Sequence, residues 1–297
     1  MDIESVLEWQ ARELKVLRME VDSLKRQETP VVGLGNAFLA AQDGRIGTAE
    51  AQLAQMDPTA LAWAVYHAVP LLFPNLIGVW YMNQAASGQL WDAASQSRHL
   101  TRFGSMAFNQ VGTGLVRAAV LNGTDSYASR ASEAALEITS NLSIMTWTYK
   151  SVSGIQHPIL AKTQGLAAST NFAYWLLQGS GDSLNFAVCN GSTIKNVTKD
   201  APVGAWYFGA GAYSVSVSVS AYLGTQDGWE DPQVDTSSIP SSVNPATSTN
   251  LTMGAIHGGA NVGNGYVAMV ALMNSTSNET LFRNYFEFTK GLFYGFN

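Results

Sequence analysis

Between Leu76 and Met273 the chain is a succession of short apolar runs separated by Gly, Ser and Asn, with no amphipathic helix between them. Short runs bounded by turn residues are strands, and many strands without crossover helices pair antiparallel. The spacing predicts strands at Ile77–Met82, Leu115–Leu121, Leu142–Tyr149, Pro158–Lys162, Phe172–Leu177, Leu184–Cys189, Trp206–Ala212, Ser214–Leu223, Leu251–Ile256 and Tyr266–Met273. Ser214–Ser220 alternates strictly, which puts Val215, Val217 and Val219 on one face of a half-buried strand. The expected fold is mainly β, an antiparallel sandwich or barrel over residues 76–297, with a short helix from about Asn278 carrying Leu281, Tyr285 and Phe286.

The start of the chain obeys a different period. Ile3, Leu7, Gln10, Leu14, Leu17, Val21 and Leu24 recur at alternating spacings of four and three, the seam of a left-handed coiled coil. Glu13 and Glu20 precede Arg18 and Lys25 at positions that bridge neighbouring chains in a parallel assembly. A lone helix this short is marginal in water, so residues 1–29 read as an oligomerisation helix. The heptads leave dimer and trimer open. Thr29-Pro30 ends the helix. Residues 30–75 read as a linker and short helices, with Asp57-Pro58 as cap and first turn and Pro70 as stop. This segment is either a collar or an anchor that docks on a larger assembly through Trp63 and Tyr66, or it packs on the sandwich.

Composition removes several function classes. Charged residues are 13% of the chain and the net charge is -6, with no basic stripe, which argues against a nucleic-acid partner. Cys189 is the only cysteine, so neither an internal disulfide nor a cysteine zinc site can form. The Met-Asp-Ile-Glu start lacks the basic and apolar regions of a signal peptide. The apolar stretch Thr59–Met82 contains His67, Pro70, Pro74 and Asn75, and reads as a buried helix and a strand instead of a membrane span.

Several stretches of the sandwich, in this order, resemble the laminin-G-like concanavalin A superfamily. They are Gly78–Met82, Leu90–Ser95, Arg98–Thr101, Ala119–Tyr127 with its Asn-Gly-Thr-Asp-Ser-Tyr, Leu142–Trp147 followed by Ile159–Lys162, Gly204–Phe208 and Ala221–Gly224, and the closing Gly265–Val270. The pattern departs at Gln96-Ser97 and around Gln226–Pro245, where an insertion is expected. The resemblance covers residues 76–297 and implies a concanavalin A-like jelly roll.

Glucanases of that class set carboxylates at alternate positions on one strand, so that two carboxyls aim at one glycosidic bond. That spacing is missing here. Glu230, Asp231 and Asp235 are grouped but lie beside Pro232, and His67, His99, His157 and His257 are scattered. The expectation is a non-enzymatic protein with no required cofactor. The resemblance makes Asp92, and less strongly Asp125, candidate Ca2+ ligands; the competing reading is that both cap turns through Asx hydrogen bonds. For glycan binding, the candidate platform is Trp229 with Gln226, Asp227 and Asn264, while Trp147 and Trp206 read as core.

An oligomerising helix, a low-charge body and a laminin-G-like sandwich together resemble structural proteins of tailed bacteriophages. That resemblance implies a homotrimer on the virion surface, docked to other virion proteins through residues 1–75. It is either a capsid decoration, head fibre or short appendage, or a tail-fibre adhesin for host glycans. A divergent glycan hydrolase is the third reading.

Overall fold

The computed structural model describes residue 62 and residues 66–73, 75–82, 88–94, 98–167 and 169–295. The expected coiled coil with its seam Ile3 to Leu24, and nearly all of the expected linker, lie outside the described residues. From Tyr66 onward the described chain belongs to one compact unit, Val65–Asn297.

That unit opens with helical residues at 66 and 67 and a further helical turn, α1 (Val69–Leu72), and continues into β1 (Leu76–Tyr81), β2 (Gln89–Leu90), β3 (Leu100–Phe103), β4 (Ala107–Val111), β5 (Val116–Asn122) and β6 (Tyr127–Arg130). Next come β7 (Leu142–Lys150), β8 (His157–Thr163), β9 (Phe172–Gln178), β10 (Ser183–Cys189), β11 (Ile194–Asp200), β12 (Trp206–Ser214) and β13 (Ser218–Thr225). The chain closes with β14 (Gly228–Trp229), β15 (Gln233–Asp235), β16 (Leu251–Met253), β17 (Asn264–Met273), α2 (Glu279–Thr289) and α3 (Gly291–Tyr294).

The strands form two antiparallel sheets. The first runs β14-β13-β12-β7-β17-β5-β4, with β1 added along β17 and β15 along β13; the second runs β11-β10-β9-β8-β16-β6-β3-β2. Their facing sides supply one core, in which Ile144, Tyr213 and Val270 of the first sheet join Leu176, Phe186 and Leu251 of the second.

A third layer covers the far side of the first sheet. Asn278 caps α2, its side chain accepting from the Leu281 N–H at 2.9 Å. Phe282, Tyr285, Phe286 and Thr289 of α2 are buried, the i, i+3, i+4, i+7 stripe of a helix with one apolar face. They lie on Trp147 and Phe208 of the sheet: Trp147 stacks on Phe293 at 4.0 Å and on Phe286 at 5.7 Å. Its Nε1 donates to Thr289 Oγ1 at 3.1 Å. With both faces covered, β7 is buried along almost its whole length. Tyr66 belongs to the same layer. It is fully buried, its hydroxyl donates to Ala268 O at 2.8 Å, and it is core, not a docking residue.

Residues 62, 66 and 67 are helical, and a turn at Ala68 separates them from α1. Pro70 lies in the first turn of α1, where its missing N–H costs nothing. One expectation needs correction. Ser214–Leu223 is not one strand. Ser214 ends β12 and pairs with Ser218 at the start of β13, so residues 215–217 form the hairpin tip. Ser216 takes a φ of +56° and Val217 is 60% exposed, whereas Val219 enters the core and half-buried Val215 packs against it. The expected insertion is an extension of the first sheet's edge, since β14 and β15 both pair with β13. Among the described residues no helix is long and apolar enough to cross a membrane.

Candidate functional site: an aromatic shelf on the first sheet

Strand alternation aims one set of aromatic side chains away from the core. On β7 Ile144 points inward, so Trp147 and Tyr149 point outward; on β12 Tyr207 points inward, so Trp206 and Phe208 point outward. On β17 Val267 faces the core and Tyr266 faces away. Tyr149 pairs directly with both Trp206 and Tyr266, which places the three rings in one row across three neighbouring strands. The helical layer covers Trp147 and Phe208 and then ends, with Phe293 5.1 Å from Trp206. Trp206, Tyr149 and Tyr266 lie past that end and are only half-buried.

The rings converge. Tyr149 is 5.9 Å from Trp206 and 5.5 Å from Tyr266, and Trp206 is 6.2 Å from Tyr266. Their polar ends are unused: the Trp206 indole N–H and the Tyr149 and Tyr266 hydroxyls bond to no described residue. This sets them apart from Trp80, Trp147, Trp175 and Trp229, whose N–H groups all have acceptors. A buried indole or phenol usually finds a partner; these three, only half-buried, are left to water or a ligand.

Two of the residues expected at a glycan platform flank this shelf on one side, and a third on the other. Gln226 and Asp227 are the exposed turn between Thr225 and Gly228, beside β12 and level with Trp206. Asp227 is close enough to Tyr294 that its charge, after burial, helps push that phenol up. The Tyr294 hydroxyl in turn donates to Trp206 O at 2.7 Å. Asn264 shares the outer face of β17 with Tyr266, two residues along, and its amide bonds to no described residue.

Trp229 is not the platform. Its ring packs 5.8 Å from Phe286 and 6.1 Å from Phe208, and its Nε1 donates to Glu279 Oε1 at 3.2 Å. It stands four strands from Asn264, about 19 Å at ordinary strand spacing. Trp206, expected in the core, takes its place. Tyr149, Trp206 and Tyr266 were all legible as strand residues. The end of the helical layer, which exposes them, was not.

The other candidate residues serve the fold. Asp92 is buried: its Oδ1 accepts from the Val79 and Ala94 N–H groups at 3.0 and 2.9 Å, and its Oδ2 from the Arg98 N–H at 3.2 Å. Asp125 is exposed and takes the Asn122 amide at 2.6 Å, the first of several hydrogen bonds that hold its carboxyl below the usual range. Both carboxylates accept hydrogen bonds from N–H or O–H groups, and the bond from the Ala94 N–H to Asp92 has the pattern of an Asx turn. Among the described residues no cluster of three or more His, Cys, Asp or Glu is placed to hold a metal.

Nor do the loop carboxylates meet. Glu230 pairs with Lys199 at 2.9 Å and Asp235 with Lys195 at 2.6 Å. Those lysines are four residues apart on β11, about 13 Å along a strand. Lys195 and Ser237 hold Asp235 down at about 2, which disqualifies it as a proton donor near neutrality. His157 is fully buried, which drives it down to about 3 and keeps it neutral.

Neither a family model nor a curated protein matches the chain. Solved structures do. The binding domain of Paraclostridial Mosquitocidal Protein 1 matches with a TM-score of 0.53 at 11% identity, over 72% of this chain and 53% of that one. The binding domain of botulinum neurotoxin DC, solved in complex with SialylT, matches with a TM-score of 0.52 at 10% identity, over 73% of this chain and 52% of that one. A botulinum neurotoxin type C structure, described by a dependence of cell entry on two ganglioside molecules, matches with a TM-score of 0.50 at 11% identity, over 72% and 51%. The chain thus spans about half the length of the structures it resembles, and at such identity the likeness is one of fold, the two-sheet β-sandwich.

Proposed function

We propose that this chain is a non-enzymatic, glycan-binding surface protein of a bacteriophage virion, with a concanavalin A-like sandwich as its binding module. The observation that carries the glycan reading is the shelf of Trp206, Tyr149 and Tyr266. A sugar presents an apolar C–H face and a rim of hydroxyls. The shelf offers ring faces for the first, and the indole N–H, two phenols and the Asn264 amide for the second. The binding domains of similar fold, one solved with SialylT, support the same reading.

The test is an array of bacterial surface polysaccharides probed with the full chain. Trp206→Ala is expected to weaken binding of the component monosaccharides, printed beside the polysaccharides, by about 10- to 100-fold, the usual effect of truncating an aromatic anchor. Because Trp206 is half-exposed, the melting temperature should barely move. A wild-type chain that binds nothing on the array would remove the glycan reading.

The virion assignment rests on the sequence resemblance to phage structural proteins, with residues 1–75 docking to other virion components. Attachment as a capsid decoration or as a tail-fibre adhesin is separated by where labelled antibody sits on intact particles. The trimer is proposed on the same basis. Light scattering of the full chain should give three times the monomer mass of 31.8 kDa. Replacing Leu14 and Leu17 by Asp should return it to monomer, because charges stranded in an apolar seam are costly.

A further inference from the structure

The second sheet carries another concave site, on the face turned away from the core. It is an open cleft of about 520 Å3, lined among others by Gln89, His99, Thr101, Phe103, Ser129 and Asn250. Gln89, Thr101 and Ser129 are directly paired neighbours on β2, β3 and β6, so their side chains stand in one row. His99 and Phe103 flank Thr101 on the same face, four residues or about 13 Å apart.

Each end of the cleft is aromatic and held in place. Phe103 is 41% exposed and lies flat on Tyr127, with ring centroids 4.8 Å apart and planes at 8°. Tyr127 is backed by Gly259, where a Cβ would come within 2.7 Å of its ring. At the other end Trp91, also 41% exposed, packs 4.4 Å from His99. The Asp92 backbone N–H donates to His99 Nδ1 at 3.0 Å, which fixes the tautomer with the ring proton on Nε2. Asp92 therefore acts here as a positioning residue, its carboxylate bracing the turn whose backbone orients His99. Between the ends, the side chains of Gln89, Thr101 and Asn250 bond to no described residue.

We propose that this cleft is a second saccharide site, one that takes an internal stretch of several sugar rings. The inference rests on the glycan reading of the shelf and extends it. The shelf gathers three rings within about 6 Å of one another and suits a single sugar. The cleft sets aromatic ends about 13 Å apart, a length one pyranose does not span, and its lining adds the Arg130–Glu133 ion pair at 2.8 Å to the uncharged Gln89, Thr101 and Asn250. The two sites lie on opposite sheets, so one chain can hold a glycan at two points and gain avidity without new contacts.

The experiment uses the full chain and defined bacterial capsular and lipopolysaccharide oligosaccharides of one to six sugars, immobilised in a length series. Wild type should bind hexasaccharides at least tenfold more tightly than monosaccharides. Thr101→Arg, which fills the exposed centre of the cleft, should abolish that length dependence and leave monosaccharide binding intact. Thr101→Ser should restore it. Trp206→Ala should do the converse, losing monosaccharides and keeping hexasaccharides. If Thr101→Arg binds every length as wild type does, or if Trp206→Ala loses all lengths together, the cleft is not a site and the shelf reading survives. A wild type silent across the series overturns both.

Discussion

Replacing Trp147 by Ala should cost about 3–5 kcal/mol, the usual range for emptying a buried aromatic site. Trp147 is fully buried and central to the helical layer, stacked on Phe293 and Phe286 and edge-on to Phe208. The rings around it belong to α2, α3 and β12, three elements that cannot close on the gap together. At about 2–4 °C per kcal/mol for a unit of this size, the melting temperature should fall by roughly 10 °C. Trp147→Phe separates two contributions. It keeps most of the stack and loses the N–H bond to Thr289 Oγ1, worth about 1 kcal/mol. Urea unfolding of the full chain measures both. A loss below 1 kcal/mol for Trp147→Ala would mean that the helices are not held to the sheet by this contact. Since Trp206 leans on Phe293, the alanine variant should also weaken glycan binding, unlike surface changes elsewhere.

The sequence made the buried strands of this fold readable and left the edges hidden. Residues 142–150, 172–178 and 206–214 are strongly apolar because β7, β9 and β12 are covered on both sides. By contrast β4, Ala107–Val111, buries none of its five side chains fully, and β11 buries one of seven. Their identity comes from a neighbour's hydrogen bonds, which leave no mark in composition. The alternation of Val215, Val217 and Val219 misled for the opposite reason: an apolar pattern continued through a hairpin tip. At the candidate site, Gln226, Asp227 and Asn264 could be picked out as polar residues between strands. Which aromatic they accompany depends on where the helical layer ends, a tertiary fact. The cleft was less legible still, because Gln89, Thr101 and Asn250 meet only through pairing of distant strands.

Small residues within strands are another signal whose cause lies across the sandwich. Gly209 and Gly211 sit in β12 among buried neighbours. A Cβ on Gly211 would fall 2.1 Å from Phe186 Cγ and 2.7 Å from its Cβ, atoms at the base of a side chain that cannot swing clear. A Cβ on Gly209 would meet the tips of Leu184 at 3.2 Å, which can give by a few tenths of an ångström. Gly211→Ala should therefore destabilise by about 3 kcal/mol, the upper part of the usual range for overpacking. Gly209→Ala should cost under about 1 kcal/mol by the same reasoning. The cause is checked by a double-mutant cycle. Phe186→Ala alone empties part of the core and costs about 3–5 kcal/mol. Combined with Gly211→Ala it should cost less than the sum by about 1–3 kcal/mol, since the added methyl enters space the ring has left. Strict additivity would place the Gly211 effect in the backbone of β12 instead of in the spacing of the sheets. A coupling of that size would make Phe186 and Gly211 one unit: a large side chain from the second sheet seated where the first has none.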